Sequence, residues 1–299
     1  LYFAENVLPS MNKKYFLPSA YINKVKQLVA RALLGTGIQL HITTKVGKHS
    51  VRFVVSSFIE YLLRAQDSYT REEVTMYWIN NKIDSDDIVF DIGANIGAYS
   101  LLIGLNVARG SGRVYAFEPE SSNFHALNRN IRLNNLTKTV LPYAIAFGDK
   151  RRVSEFFLSS IIPGSALHGI DNPNSGGRHF EAKHIQGVYV MTVDDFVREH
   201  NVEFPNHIKI DVDGVEDQII YGMKETLSDH RLQSIMVEIE TVLSSGTVES
   251  FIEGKGFIES MREPIGKTGS QFNVLYTRIT NNSNHVLDDT VSNNVETQN

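Results

Sequence analysis

Hydrophobic and polar positions follow two rhythms along this chain. Between residues 87 and 277, short apolar runs of strand length recur between longer segments of helical spacing. Candidate elements fall at 87–91, 98–108, 113–118, 121–134 and 138–145. After strand-like pieces at 153–158 and 187–192, the alternation resumes at 194–200, 208–212, 215–227 and 234–239, and it ends at 248–255, 257–261 and 272–277. Strands alternating with helices predict an α/β fold with a mostly parallel sheet and helices on both faces. Ahead of this region, residues 20–34 carry apolar groups at Ile22, Val25, Leu28, Val29, Ala32 and Leu33, with Lys24, Lys26 and Arg31 elsewhere on the helix. A basic amphipathic helix of this kind can lie on a membrane surface; the expectation here is that it packs on the domain. Residues 37–58 alternate with a period of two and predict a hairpin turning near Val46-Gly47-Lys48. Residues 70–82 read as a helix that leads into the first core strand.

Two segments break the rhythm. Residues 159–187 are rich in Gly, Asn, Pro and His, and a connection of that length reads as a lid-like loop. Residues 280–299 are polar throughout and are expected to be a disordered tail. The organisation is therefore an N-terminal helical and hairpin extension (1–67), one large domain (68–279) and the tail.

The chemistry concentrates where strands end. Ile88, Val89 and Phe90 form a buried strand that runs into Asp91 and then a tight turn with Gly93 and Gly97. Glycines at such a turn let a ligand approach the backbone at a helix N-terminus. The next strand, 113–117, ends on Glu118, 21 positions beyond Gly97. Strand, glycine turn, helix, strand and acid make the sequence form of a nucleoside-binding unit, with the acid placed for a ribose diol. A dinucleotide site would want G-x-G-x-x-G, yet Asn95 stands where the second glycine should be. That substitution argues against a pyrophosphate and for S-adenosylmethionine. An NAD-dependent oxidoreductase and a non-catalytic nucleoside-binding module remain the alternatives.

A second cluster lies at 206–216 (NHIKIDVDGVE), where Asp211, Asp213 and Glu216 gather at the C-terminal end of a core strand. In a doubly wound order this strand sits beside the one ending at Asp91, so its acids face the same crevice.

Composition narrows the field without naming a ligand. A net charge of −5 gives no electrostatic reason to expect nucleic acid or an anionic membrane as a partner. The absence of cysteine excludes disulfides, thiolate metal sites and cysteine nucleophiles, and fits a reducing, cytoplasmic setting. No apolar run is long enough to span a bilayer, and Pro18, Lys24 and Lys26 interrupt any signal-peptide core.

The phrases DIVFDIGANIGAYS, VYAFEPE, LNRNIRLNNL, VMTVDDFV, HIKIDVDGVE and IMVEIE, in this order, resemble the FkbM family of S-adenosylmethionine-dependent methyltransferases. The resemblance covers 68–277. It implies a class I methyltransferase Rossmann-like sheet with an antiparallel C-terminal strand, and O-methylation of a small, carbohydrate-like acceptor. Asp213 stands where the family commonly has Glu, and Tyr143 where it often has Asn.

On this reading Asp91, Gly93, Asn95 and Gly97 shape the methionine end of the cofactor pocket and Glu118 takes the ribose. Ala144, Ile145 and Tyr143 are candidates beside the adenine. Asp211 is the first candidate for the base that takes the acceptor's proton, provided burial or a second acid raises its pKa. Glu216 and His168 are alternatives, His168 being one of three lid histidines with His179 and His184. Arg178 and Lys183 could meet an anionic acceptor. Glu238 and Glu240 share a strand face and with Asp211 would offer oxygens to Mg²⁺. Neither the acceptor nor the oligomeric state is written in any motif.

Overall fold

The computed structural model describes residues 19–240, 246–266 and 270–279; the expected tail at 280–299 lies outside the described residues. Helix α1 (Ser19–Gly35) precedes a hairpin of β1 (Leu40–Val46) and β2 (His49–Val55), which turns between Val46 and His49 as its alternation predicts. A π-helical turn, Glu60–Gln66, and a single helical turn, Ser68–Arg71, lead to α2 (Glu73–Asn81). The alternating core follows as β3 (Ile88–Ile92), α3 (Ala98–Val107), β4 (Arg113–Phe117), α4 (Ser121–Leu133) and β5 (Val140–Tyr143). Then come β6 (Arg152–Leu158), β7 (His184–Met191), α5 (Val193–Glu199), β8 (His207–Ile210), α6 (Glu216–Tyr221) and β9 (Ser234–Glu240). The described chain ends with α7 (Thr247–Glu253), β10 (Phe257–Ile265) and β11 (Gln271–Arg278).

Seven strands form the central sheet in the order β10-β11-β9-β8-β3-β4-β5. Strands β9, β8, β3, β4 and β5 are parallel, and β11 is antiparallel to β9 and β10. This is the doubly wound arrangement that the alternation predicts, with the antiparallel C-terminal strand in place. Its two faces are covered separately. Phe53, Trp78, Val89, Leu101 and Leu102 fill one core, and Phe90, Phe117, Phe196, Ile219 and Val248 fill the other. Helix α3 is apolar on every side and buried along almost its whole length, because the β1–β2 hairpin covers the face that the sheet does not. The N-terminal hairpin therefore shares the core of the large domain.

Helix α1 contradicts its expectation. Its stripe was expected to pack on the domain, but Val25, Leu28, Val29 and Leu33 are exposed, and the helix is seated through Ala30 and Leu34. Those two side chains close the core to which Ile42, Val51 and Tyr61 belong, leaving the wider stripe without a counterpart.

The expected lid, 159–187, is partly built. Gly169–Ile170 pairs with β6, Asn174–Ser175 pairs with Arg178–His179, and residues 184–187 belong to β7.

Asn130 ties these parts together. It is fully buried; its Oδ1 accepts from the Val54 N–H at 3.0 Å and its Nδ2 donates to the Ile96 carbonyl at 3.0 Å. One side chain thus joins the hairpin to the glycine turn. Replacing it with alanine leaves two buried backbone groups unpaired. We expect Asn130→Ala to lower stability by about 2–4 kcal/mol in urea unfolding; a change below about 0.5 kcal/mol, the range of neutral surface substitutions, would show that the hairpin is not held this way.

Candidate active site

At the end of β3 the backbone turns on Gly93, whose φ is +86°, and the N–H groups of Gly93 and Ala94 both donate to the Phe117 carbonyl at 3.0 Å. A Cβ on Gly93 would lie 1.8 Å from the Asp211 backbone oxygen, and one on Gly97 (φ +94°) would lie 2.6 Å from Leu127 Cδ1. The Asp211 backbone thus leaves no room for a side chain at Gly93, and the positive φ of Gly93 and Gly97 favours glycine at both, a reason for these glycines besides a ligand's approach. Asn95 takes the left-handed conformation that Asn tolerates best among non-glycine residues. Its N–H donates to Glu118 Oε2 at 2.8 Å, and its Nδ2 donates to the Ser165 carbonyl at 2.9 Å. The other Glu118 oxygen accepts from the Glu120 N–H at 2.8 Å. Burial pushes the Glu118 carboxyl up to about 8, against the pull of the Glu120 and Asn95 N–H groups. Each of its oxygens keeps a further lone pair for a hydroxyl donor.

The acids of β8 and β9 surround one ammonium. Lys209 is 2% exposed, its Nζ lies 2.6 Å from Asp211 Oδ2, and it sits 4.9 Å from the centre of the Tyr99 ring. Burial alone would lower its pKa, but Asp211, Asp91 and Glu72 hold it above the ordinary lysine value. Burial alone would likewise raise Asp211; Lys209 outweighs it and holds that carboxyl below the ordinary range. The expectation of a raised pKa at Asp211 is therefore overturned. The raised acids are its neighbours: enclosure and the surrounding carboxylates lift Glu238 to about 9 and Glu216 to about 8.

Two adjoining cavities open here. The first, about 280 Å³, lies between the glycine turn, Glu118, Ile145, Phe147 and residues 165–168. The second, about 400 Å³, is lined by Ser175, Arg178, His179, Glu216, Glu240 and Gln271. Asp213 and Glu238 line both, together with Leu167, Val212 and Gln271, so two acids stand in the wall between them. The segment over the first cavity is pinned. Asn123 accepts from the Gly164 N–H at 2.7 Å and donates to the Ser165 carbonyl at 3.1 Å, and Arg64 Nε donates to the Gly164 carbonyl at 3.0 Å. His168 is buried; its N–H donates to Asp213 at 2.9 Å, and its Nδ1 accepts from the Ser159 N–H at 3.2 Å. An accepting Nδ1 places the neutral ring's hydrogen on Nε2, and burial keeps the ring neutral by lowering its pKa. His168 therefore offers the first cavity a hydrogen rather than a lone pair, which argues against it as a base. Among the described residues its buried Nε2 has no hydrogen-bond partner.

The structure brings together Gly93, Asn95, Glu118, Ile145, His168 and Asp211 in the first cavity, and Glu216 and Glu240 in the second. It separates others. Asp91 is buried behind the turn on Ser100 Oγ and lines neither cavity, nor does Gly97. Ala144 is exposed, and Tyr143 stacks on Phe117 in an aromatic cluster, so of the adenine candidates Ile145 keeps its place. Arg178 and His179 reach the second cavity, whereas His184 is exposed and Lys183 pairs with Glu181. Among the described residues no group of three or more His, Asp or Glu side chains is placed to hold a metal ion, so the geometry lends no support to Mg²⁺ on Asp211, Glu238 and Glu240. Asp211 spends its charge on Lys209 and a hydrogen bond with Glu238 instead. Sequence reasoning missed Arg64, Glu72 and Asn123, whose isolated positions carry no signal. Lys209 did carry one, because a lysine between two isoleucines of a strand buried on both faces must have found counter-charges.

Comparison with known proteins places this architecture. The chain matches the methyltransferase FkbM domain over residues 91–259. It is 27% identical over 220 residues to the hexuronic acid methyltransferase AglP of Haloferax volcanii, covering 73% of this chain and 82% of that one. It is 26% identical over 191 residues to Methyltransferase 1 of Beauveria bassiana, covering 60% and 75%. Among solved structures, the methyltransferase FkbM of Methylobacillus flagellatus aligns with a TM-score of 0.46 at 17% identity, over 66% of this chain and 44% of that one. The family match and the curated relatives set aside the oxidoreductase and the non-catalytic module. Among the described residues no helix is long and apolar enough to cross a membrane. The chain belongs to the FkbM family of S-adenosylmethionine-dependent methyltransferases, and it is an enzyme that transfers methyl groups.

Proposed function

We propose that this enzyme methylates a hydroxyl of a small, carbohydrate-like acceptor, with the donor in the first cavity and the acceptor in the second. The observation that carries this reading is the shared wall: Asp213 and Glu238 face both spaces, so a donor on one side and a hydroxyl on the other meet at the acids. S-adenosylmethionine supplies an electrophilic methyl group when bound. Glu118 accepts from the ribose hydroxyls, Ile145 and Phe147 offer apolar surface to the base, and the pinned segment 163–168 excludes water. An alcohol becomes a competent nucleophile as its proton leaves, and a base works best when its pKa lies near the working pH. Lys209 makes Asp211 a weak base, so we assign the proton transfer to Glu216 and give Asp211 the role of a fixed negative charge. The relative from Haloferax volcanii is named for a hexuronic acid. Arg178, beside the second cavity, has the planar fork that suits a carboxylate, which supports an acidic sugar as the acceptor.

Three measurements test these roles. Calorimetric titration should show saturable binding of S-adenosylmethionine and S-adenosylhomocysteine and none of NAD. Glu118→Gln should weaken both adenosyl ligands by roughly tenfold, since an amide accepts at one position where the carboxyl oxygens offer two. An unchanged affinity would remove Glu118 from the ribose.

A base whose pKa stands at about 8 is ionised only above that pH. Methyl transfer should therefore rise about tenfold per pH unit up to about 8 and then level off, and Glu216→Gln should abolish the rising limb. A profile flat through this range would return the proton transfer to Asp211. Stability runs the other way. Glu216 stays protonated in the folded chain while its unfolded counterpart ionises above 4.5, so its contribution is full below 4.5 and is lost as pH climbs to about 8.

With free hexuronic acids and neutral hexoses as acceptors, Arg178→Met should raise KM for the acidic sugar about tenfold and leave the neutral one unchanged. Equal effects on both would show that Arg178 does not read a carboxylate.

A further inference from the structure

The stripe that helix α1 withholds from the domain has a chemistry of its own. Successive residues of an α-helix are rotated by about 100°. On that wheel Ala30 and Leu34, the buried pair, mark the seated side; Val25, Leu28 and Val29 turn away from it and Leu33 flanks Ala30, the four being 44%, 61%, 53% and 38% exposed. Ala32 lies on the same outward side and is exposed as well. Lys26 borders one edge of the stripe, and Lys24 and Arg31 border the other; Arg31 also reaches to 5.7 Å from the Phe58 ring centre. No acid occurs anywhere between Ser19 and Gly35. The segment is thus a local reversal of sign on a chain whose net charge is −5.

We propose that α1 is a docking face for an anionic lipid surface, lying parallel to it with the Val25–Leu33 stripe in the headgroup boundary and its lysines at the level of the phosphates. A continuous apolar band flanked on both edges by cations is the arrangement that such an interface stabilises, since the band loses water while the long basic stems keep their charges among the lipid phosphates. Charge decides between this occupant and the others. A second copy of the chain would set one cationic helix against another. Residues 1–18 hold Lys13 and Lys14 against Glu5, so they too are cationic and offer no complement. An anionic bilayer supplies both the negative charge and the apolar depth. The surface is independent of the active site, and the proposal stands whether or not the acceptor is a sugar.

The test is co-sedimentation of the full chain with vesicles of equal parts phosphatidylglycerol and phosphatidylcholine, beside vesicles of phosphatidylcholine alone. The chain should pellet with the anionic vesicles, stay in solution with the neutral ones, and be released as salt is raised. Leu28→Ser with Val29→Ser, two exposed positions, should weaken binding by more than about tenfold while thermal unfolding is unchanged. Lys24→Gln with Lys26→Gln should weaken it as well and blunt its salt dependence. Failure to bind anionic vesicles, or binding that survives the serine substitutions, would overturn the proposal. So would sedimentation velocity that shows a dimer dissolved by Leu28→Ser with Val29→Ser, which would give the stripe to a second copy.

Discussion

The electrostatics of the active site depend on one buried ammonium. An isolated charge in a protein interior is costly, and it persists where counter-charges surround it. Lys209 meets that condition through Asp211 at 2.6 Å, with Asp91 and Glu72 near enough to raise its pKa and the Tyr99 ring beneath it. The consequence is a division among the acids. The carboxylate that holds Lys209 stays ionised, and enclosure together with the neighbouring charges makes the other acids hold protons more tightly: Glu238 is raised to about 9, Glu216 to about 8, and Asp213 upward as well. A strand end carrying several acids would repel itself if all were ionised. Here it holds one balanced pair and a store of protons beside it.

This division bears on how a methyl group is moved. The displacement asks the protein for position and for somewhere to put one proton. A carboxylate pinned to lysine is a good fixed charge and a poor proton acceptor, whereas a carboxyl with a pKa near 8 is close to balance at working pH. The same fold therefore offers two acids of the same chemistry in different states, and their environments separate their roles.

Much of this was legible in the sequence, and the illegible part has a physical pattern. The alternation of runs specified the parallel sheet, and the acids after Ile210 were expected beside the glycine turn, where Asp211 and Asp213 do line one cavity with Gly93, because adjacent parallel strands end together. What failed was the reason attached to a residue rather than its location. Gly93 is fixed by the Asp211 backbone, a partner distant in sequence, and no local pattern reveals whether a missing Cβ serves a ligand, a neighbouring strand or both. Asp91 looked like a pocket acid because it ends a strand, yet its side chain turns into α3 and Ser100. The stripe on α1 misled for the opposite reason. Periodicity reports that a helix has an apolar face, and says nothing about which side of the helix the domain will use.

The N-terminal segments also reach the chemistry, by a route that spacing could not show. Ser57 Oγ donates to the Pro163 carbonyl at 2.7 Å and Arg64 Nε to the Gly164 carbonyl at 3.0 Å, while Asn95 and Asn123 hold the Ser165 carbonyl from the other side. With the Gly164 N–H donating to Asn123 as well, five hydrogen bonds from four side chains fasten residues 163–165 over the first cavity, each worth about 1 kcal/mol net. Two of the four anchors, Ser57 and Arg64, lie in or beside the turn that follows the hairpin, and Asn130 locks that hairpin to the glycine turn. Any movement of the hairpin is therefore felt at the cover and at the turn together. The extension is a structural part of the closed site, and it belongs to the same mechanical unit as the residues that bind.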